Sequence, residues 1–360
     1  MSANRFSRSL MAALALLVCG LSAEHAVGER ARGEPFSGFG PVEISGRSVR
    51  FSSAPSETQR YGRLIYRGGL VLSSPDHDFG GLSGLGISND GRRIMAVSDR
   101  GYMFSARLIY DRDENLSGIG EGAKSSLKGS KGQPLPDEKK IWHDAESLAM
   151  GPQGFGGPLW VSYERRHRVE TYDFGRLGAT APAKRTKLPA QIRRVKSNSG
   201  VEGLARFGPG SDYEGGLLAI TEHPTVDHST GERASGAKEI PGYIMGGPNP
   251  GPVWLDAPGG FSVTGLDFHP NGDLLVVERR LGNLFDFSVR VRRVARAMIH
   301  PGSHMKGETL FEGGLSYEID NWEGIAVHTH GNGDVRLTIV SDDNFSPIQQ
   351  TLLLQFTLVE

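Results

Sequence analysis

Acidic residues recur at matched points of five related stretches in this 360-residue chain. Glu146 and Glu164 bracket one stretch, Glu202 and Glu222 a second, Glu323 and Asp342 a third. Thr264 with Glu278, and Ser83 with Asp99, form half-acidic versions. Brought together, so many carboxylates repel one another, and burial worsens the repulsion. Calcium is one remedy, because it takes six to eight oxygen ligands, mostly carboxylate and carbonyl. Asp99, Glu164, Glu222, Glu278, Glu323, Asp342, Asp343 and Asn344 are the oxygen donors expected to hold it. Basic side chains are the other remedy, and Arg100, Arg165, His223 and Arg279 each directly follow an acid. Glu146, Glu202, Glu323 and His223 are candidates to move a proton, and Arg100, Arg165 and Arg279 to steady developing charge. A purely structural use of the same residues, as ion pairs tying neighbouring elements together, is the competing expectation.

The elements that must position these residues are hairpins. Each stretch has a short strand-like run, a Gly/Pro/Asn/Asp turn such as "NDG" or "PNGD", and a second run rich in Val, Ile and Leu. In an antiparallel hairpin the start of the first strand lies beside the end of the second, so the two bracketing acids become neighbours. The start positions Ser83, Glu146, Glu202, Thr264 and Glu323 are 63, 56, 62 and 59 residues apart. That spacing suits an all-β propeller with one blade per repeat and room for loops. The runs "VEISGRSVRF" and "RLIYRGGLVL" near the start and "TLLLQFTLVE" at the end lack a full unit. Their pairing would close the ring and remove exposed edges. Six blades are expected, with five or seven as the alternatives, and about eight carboxylates should converge on one mouth.

At "DAESLAM…LWVSYERR", "NSGVEGLARF…LLAITEH", "VTGLDFHPNGDLLVVERR" and "NWEGIAV…LTIVSDDNF" the chain resembles the phytase-like family, also called the esterase-like domain of phytase. The similarity runs from about Phe79 to Glu360, with the motifs in order. The resemblance implies an exported bacterial β-propeller and ester hydrolysis, by its name on a phosphate ester. It also implies that Glu146, Glu164, Glu202, Glu222, Glu278, Glu323 and Asp342 occupy the family's acidic positions, with Ser83 and Thr264 as weaker corners.

Composition narrows the alternatives. A net charge of −1 gives no global reason to expect a nucleic-acid partner. Arg5 and Arg8, the apolar core "LMAALALLVCGL" and the small residues ending at Ala23 read as an export leader. That core is too short for the roughly 20 residues of a membrane span. The expected division is a leader over 1–23, a flexible segment over 24–35 and one propeller over 36–360, located in the periplasm or secreted. The single cysteine, Cys19, lies in the leader, so no thiol chemistry is expected after it.

Other motifs point nowhere specific. There is no P-loop and no Gly-x-Ser-x-Gly elbow. "HTH" at His328 to His330 reads as a solvated turn rather than a zinc site, while His143 and His223 stand beside acidic corners. "SVRVRRVARAM" reads as an exposed blade face, and Asp111 to Lys140 and His223 to Gly242 as long surface loops. The expected function is calcium-dependent hydrolysis of a small anionic or phosphorylated substrate at the mouth. The alternatives are a calcium-dependent lactonase or carboxylesterase and a non-catalytic propeller that binds or scaffolds in the cell envelope. The sequence carries nothing on oligomeric state.

Overall fold

A computed structural model describes residues 36–54, 59–136, 139–195, 199–224, 238–282 and 287–360. The expected leader and the segment 24–35 lie outside these residues, as does much of the second expected loop. Each predicted hairpin is present: Leu82–Ile87 with Arg93–Ser98, Ala145–Met150 with Leu159–Tyr163, Val201–Arg206 with Leu217–Thr221, Ser262–Phe268 with Leu274–Leu281, and Asn321–Thr329 with Val335–Asp342. Further antiparallel strands extend each hairpin into a sheet, and the described residues form five sheets, here blades 1 to 5 in chain order of their hairpins.

The number is therefore five, not six. The residues assigned to a possible sixth blade complete blade 5 instead. Thr351–Leu358 pairs with Val335–Asp342 on one side and with Leu64–Ser73 on the other, and Leu64–Ser73 pairs in turn with Ser45–Ser48. A second correction concerns the segment from Asp111 to Lys140. Leu116–Ser126 is an eleven-residue strand of blade 1, paired with Tyr102–Tyr110. Its Gly and Ser content hid it, because most of its side chains are only partly buried. Such a strand shows little of the alternation that marks a half-buried one.

Apolar side chains fill the spaces between blades. One cluster joins Leu82 and Phe104 of blade 1 to Leu353 and Val340 of blade 5, and another joins Val277 and Val291 of blade 4 to Trp322 and Phe356 of blade 5. Three more link blades 1 with 2, 2 with 3 and 3 with 4. The strand part of the strip from Ser288 to Met298 belongs to this interior, whereas Ala295, Arg296 and Ala297 are exposed. Val289, Arg290, Val291 and Arg292 are all buried, so the expected solvated basic face is absent. Arg292 and Arg290 instead grip the fully buried Glu278, at 2.6 and 2.8 Å for Arg292 and 2.7 Å for Arg290.

The first strands of the five hairpins pack against one another around the centre. The residue after each start position is Gly84, Ser147, Gly203, Gly265 or Gly324. A Cβ on Gly324 would overlap the Ser83 carbonyl oxygen, and one on Gly265 the Glu323 carbonyl oxygen. Only in blade 2 does a side chain fit, where the Ser147 hydroxyl accepts the Leu204 N–H of blade 3 at 3.1 Å. We expect Gly324→Ala to cost about 1–3 kcal/mol by overpacking. Ser147→Ala should cost a similar ~1–3 kcal/mol by orphaning a buried N–H. Thermal unfolding of each variant checks both, and unchanged melting temperatures would contradict them.

Candidate functional site

The acids are aimed by a repeated irregularity. In every hairpin the ladder slips once near its open end. Val201 pairs with Thr221 but Gly203 with Ile220; Trp322 pairs with Ser341 but Gly324 with Val340. The same slip falls between Ala145 and Ser147, Val263 and Gly265, and Leu82 and Leu85. The extra residue is Glu146, Glu202, Thr264 or Glu323, and in blade 1 it falls at Ser83 and Gly84. A bulge of this kind leaves one residue outside the ladder and re-aims its side chain.

The second strands supply the other acids. Asp99, Glu164, Glu222 and Asp342 each come one residue after the partner of the residue that precedes the bulge. In blade 4 that partner is Glu278, opposite Val263, and the next residue is Arg279. Glu278 therefore matches Thr221 rather than Glu222, faces the other side of the strand, and takes no part in the mouth. Side chains alternate faces along a strand, so an offset of one residue reverses the assignment. The signal was present: "LLAITE" and "LLVVER" are equal in length, with Glu222 and Arg279 both in sixth place.

The structure brings together two groups of three carboxylates, Asp144 with Glu146 and Glu164, and Glu164 with Glu202 and Glu222. Within each group the oxygens lie within 4.8 Å of one another, and Glu164 is common to both. Asp144 was not among the sequence candidates, although it lies two residues before Glu146. Glu323, Asp342 and Asp99 continue the acidic rim, with Glu323 and Asp99 close enough to raise both Glu146 and Asp342. Glu202 is 5% exposed. Among the described residues its carboxylate accepts no hydrogen bond and has no cation at ion-pair distance.

The built-in cations are fewer. Arg279 spans the ring, bonding Glu222 at 3.2 Å and also Glu323 and Asn321. Arg165 donates to Asp144 at 2.5 Å. Lys140, a second residue the sequence did not single out, reaches Asp99 at 2.7 Å and Asp144 at 3.2 Å. His223 stands 2.7 Å from Glu222 and shares a 2.6 Å hydrogen bond with Ser262. His143 is buried against the Asp99 carbonyl at 2.8 Å.

Three predicted residues serve elsewhere. Asp343 accepts from the Gly81 and Phe345 N–H groups and the Thr351 hydroxyl, so it ties a loop rather than joining the acids. Asn344 donates its N–H to Asp342 at 2.6 Å and its side-chain amide to Gln349. Arg100 stacks 3.4 Å over the Phe345 ring and donates to the His77 carbonyl. His328 and His330, expected in a solvated turn, are both buried. His330 bonds Glu114 at 2.9 Å, so a partner distant in sequence covers the turn.

The consequence is a set of reluctant acids. Burial, then the neighbouring carboxylates, hold Glu146 and Glu202 well above the usual carboxylate range. Glu164 is pushed up to about 7 by burial and by Asp144 and Glu222. Burial lifts Glu323 to about 7 even against Arg279, and lifts Asp342 to about 8 with the help of Glu323. Burial opposes the charge of Arg279, yet Glu323, Glu222 and Glu202 more than offset this and raise its pKa. The donors are hard oxygens without sulfur, and one is deeply buried and unpartnered. That chemistry fits calcium.

The profile of the phytase-like family, described as esterase-like activity of phytase, matches residues 77–345, and the chain belongs to that family. No curated protein matches the chain. A solved structure of a luciferin-regenerating enzyme is 12% identical, with a TM-score of 0.36. The match covers 78% of this chain and 93% of that one.

Protonation gives the site a testable signature. Carboxyls with raised folded-state pKa values bind more protons in the folded chain than in the unfolded one. Their contribution to stability is then fullest below the unfolded values near 4 and is lost as pH rises towards 7 and 8. With chelator present, the melting temperature should fall between pH 5 and pH 8.5, and calcium should restore it at the higher pH. A melting temperature that is flat or rising over that interval would contradict the assignment.

Proposed function

Taking membership of the phytase-like family as the premise, we propose that the acidic mouth is a calcium-dependent site that hydrolyses an ester, with a phosphate ester as the leading substrate class. The observation that carries this reading is the pair of carboxylate groups joined at Glu164, with Glu202 buried among them and without a partner among the described residues. Asp144, Glu146, Glu164, Glu202 and Glu222 would hold the cation. Bound there, calcium would supply positive charge beside an ester oxygen and make a nearby water more acidic.

The chain's own residues account for the remaining tasks. Arg165 and Lys140 keep 43% and 47% of their side chains exposed beside Asp144 and are the cations an incoming anionic group meets first. Arg279 is committed to Glu222 and Glu323, so it holds the rim's shape and limits its charge. Glu323, with a pKa near 7, is suited to accept and return a proton close to neutrality. Ser262 hydrogen-bonds one ring nitrogen of His223, and the Glu222 carboxylate lies 2.7 Å from the other, at the edge of the site.

A second reading draws on the same inventory. Because the two exposed cations, Arg165 and Lys140, already pair with acids of the rim, a neutral lactone or carboxylic ester would meet less repulsion than a polyanion. The export leader read in residues 1–23 belongs to the same proposal, since it would deliver the site to a compartment outside the cytoplasm.

We expect turnover of p-nitrophenyl phosphate to vanish in chelator and return with calcium. Glu164→Gln and Glu202→Gln should each lower it by about 100-fold or more, the usual scale for losing one catalytic group. Turnover of lactones but not phosphate esters would select the second reading. Activity indifferent to chelator and intact in both variants would overturn the calcium-dependent site itself.

A further inference from the structure

A cavity of about 590 Å³ opens at the other end of the hairpins, among their turns, away from the acids. Its lining shows a departure from the repeat. The five first strands carry, at two successive positions near that end, Gly86-Ile87, Ala149-Met150, Ala205-Arg206, Asp267-Phe268 and Ala326-Val327. The first position is Gly or Ala in four blades and Asp267 in blade 4. The second is apolar in four blades and Arg206 in blade 3. Both exceptions line this one cavity.

The two exceptions differ in what they already do. Asp267 accepts the Val327 N–H of blade 5 at 2.7 Å and the Phe268 N–H at 2.8 Å, which makes it part of the wall. Arg206 lies 4.1 Å over the Trp160 ring and donates one hydrogen bond, to the Gly215 carbonyl at 2.6 Å. A guanidinium has five N–H donors. Among the described residues no carboxylate pairs with Arg206, and burial alone pushes its pKa down. A partly desolvated cation without a counter-ion favours an anionic partner. The remaining lining includes Ile87, Met150 and two neighbouring rings, Phe207 and Phe268, with centroids 4.8 Å apart and planes tilted by 38°. Asp212 and Arg296 lie at the exposed rim. The volume is in the range of sites that enclose a drug-sized molecule.

We propose that the turn face carries a second binding site, for a small organic anion with an apolar or aromatic body. Its acidic group sits on Arg206, and its body packs against Met150, Phe207 and Phe268. The inference does not depend on any reaction at the acidic mouth.

Isothermal titration of the full protein with 2-naphthalenesulfonate tests it. One equivalent should bind saturably, Arg206→Met should weaken binding at least tenfold, and Arg206→Lys should weaken it less. Met150→Trp, which fills the cavity from another wall, should also abolish it, whereas Glu202→Gln at the acidic mouth should leave affinity unchanged. The proposal is overturned if no saturable binding occurs. It is equally overturned if Arg206→Met and Met150→Trp bind as the parent does, or if Glu202→Gln alone removes binding.

Discussion

Mutual repulsion of buried carboxylates is the constraint around which this propeller is organised. Asp99, Asp144, Glu146, Glu164, Glu202, Glu222, Glu323 and Asp342 share one mouth, and the permanent cations set against them are Lys140, Arg165 and Arg279. Several of these acids are perturbed first by burial and next by one another. An arrangement like this is costly in a folded protein unless something positive enters it. The deficit of built-in cations is a physical reason to expect a mobile one, and it aligns the site with ester hydrolysis in the phytase-like family.

The rest of the fold makes that crowding possible. A bulge at the same place in each hairpin frees one side chain from the ladder, and a glycine or Ser147 beside it lets the next strand approach closely. Apolar clusters between successive blades then fix the ring against the repulsion at its mouth. Blade 4 breaks the charge pattern twice. Thr264 replaces an acid, and Arg279 brings a positive charge to the position where the other blades have a carboxylate. The mouth is thereby divided into an arc through blades 2 and 3, where Arg165 and Lys140 both pair with Asp144, and an arc where Arg279 links Glu222 to Glu323.

Much of this was legible in the chain. The turn chemistry and paired apolar runs located all five hairpins, and antiparallel geometry alone placed Glu146 beside Glu164 and Glu202 beside Glu222. What escaped has physical causes. Blade number depended on whether strands from the two ends of the chain formed a sheet of their own or joined the fifth hairpin, and periodicity does not decide that. Glu278 was misassigned because the acid was aligned instead of the strand register, and one residue reverses the face. The basic run around Arg290 and Arg292 read as solvated because its counter-charge, Glu278, lies on a different strand. Lys140 and the Glu114 that covers His330 are likewise long-range partners, without a local signature.

The central claim is that these acids hold protons near neutrality and release them to a divalent cation. Calcium titrated calorimetrically into the chelator-stripped protein at pH 7, in two buffers of different ionisation enthalpy, measures this directly. The account predicts binding whose apparent enthalpy differs between the buffers in the sense of protons released on binding. An absence of binding, or an apparent enthalpy independent of the buffer, would contradict it.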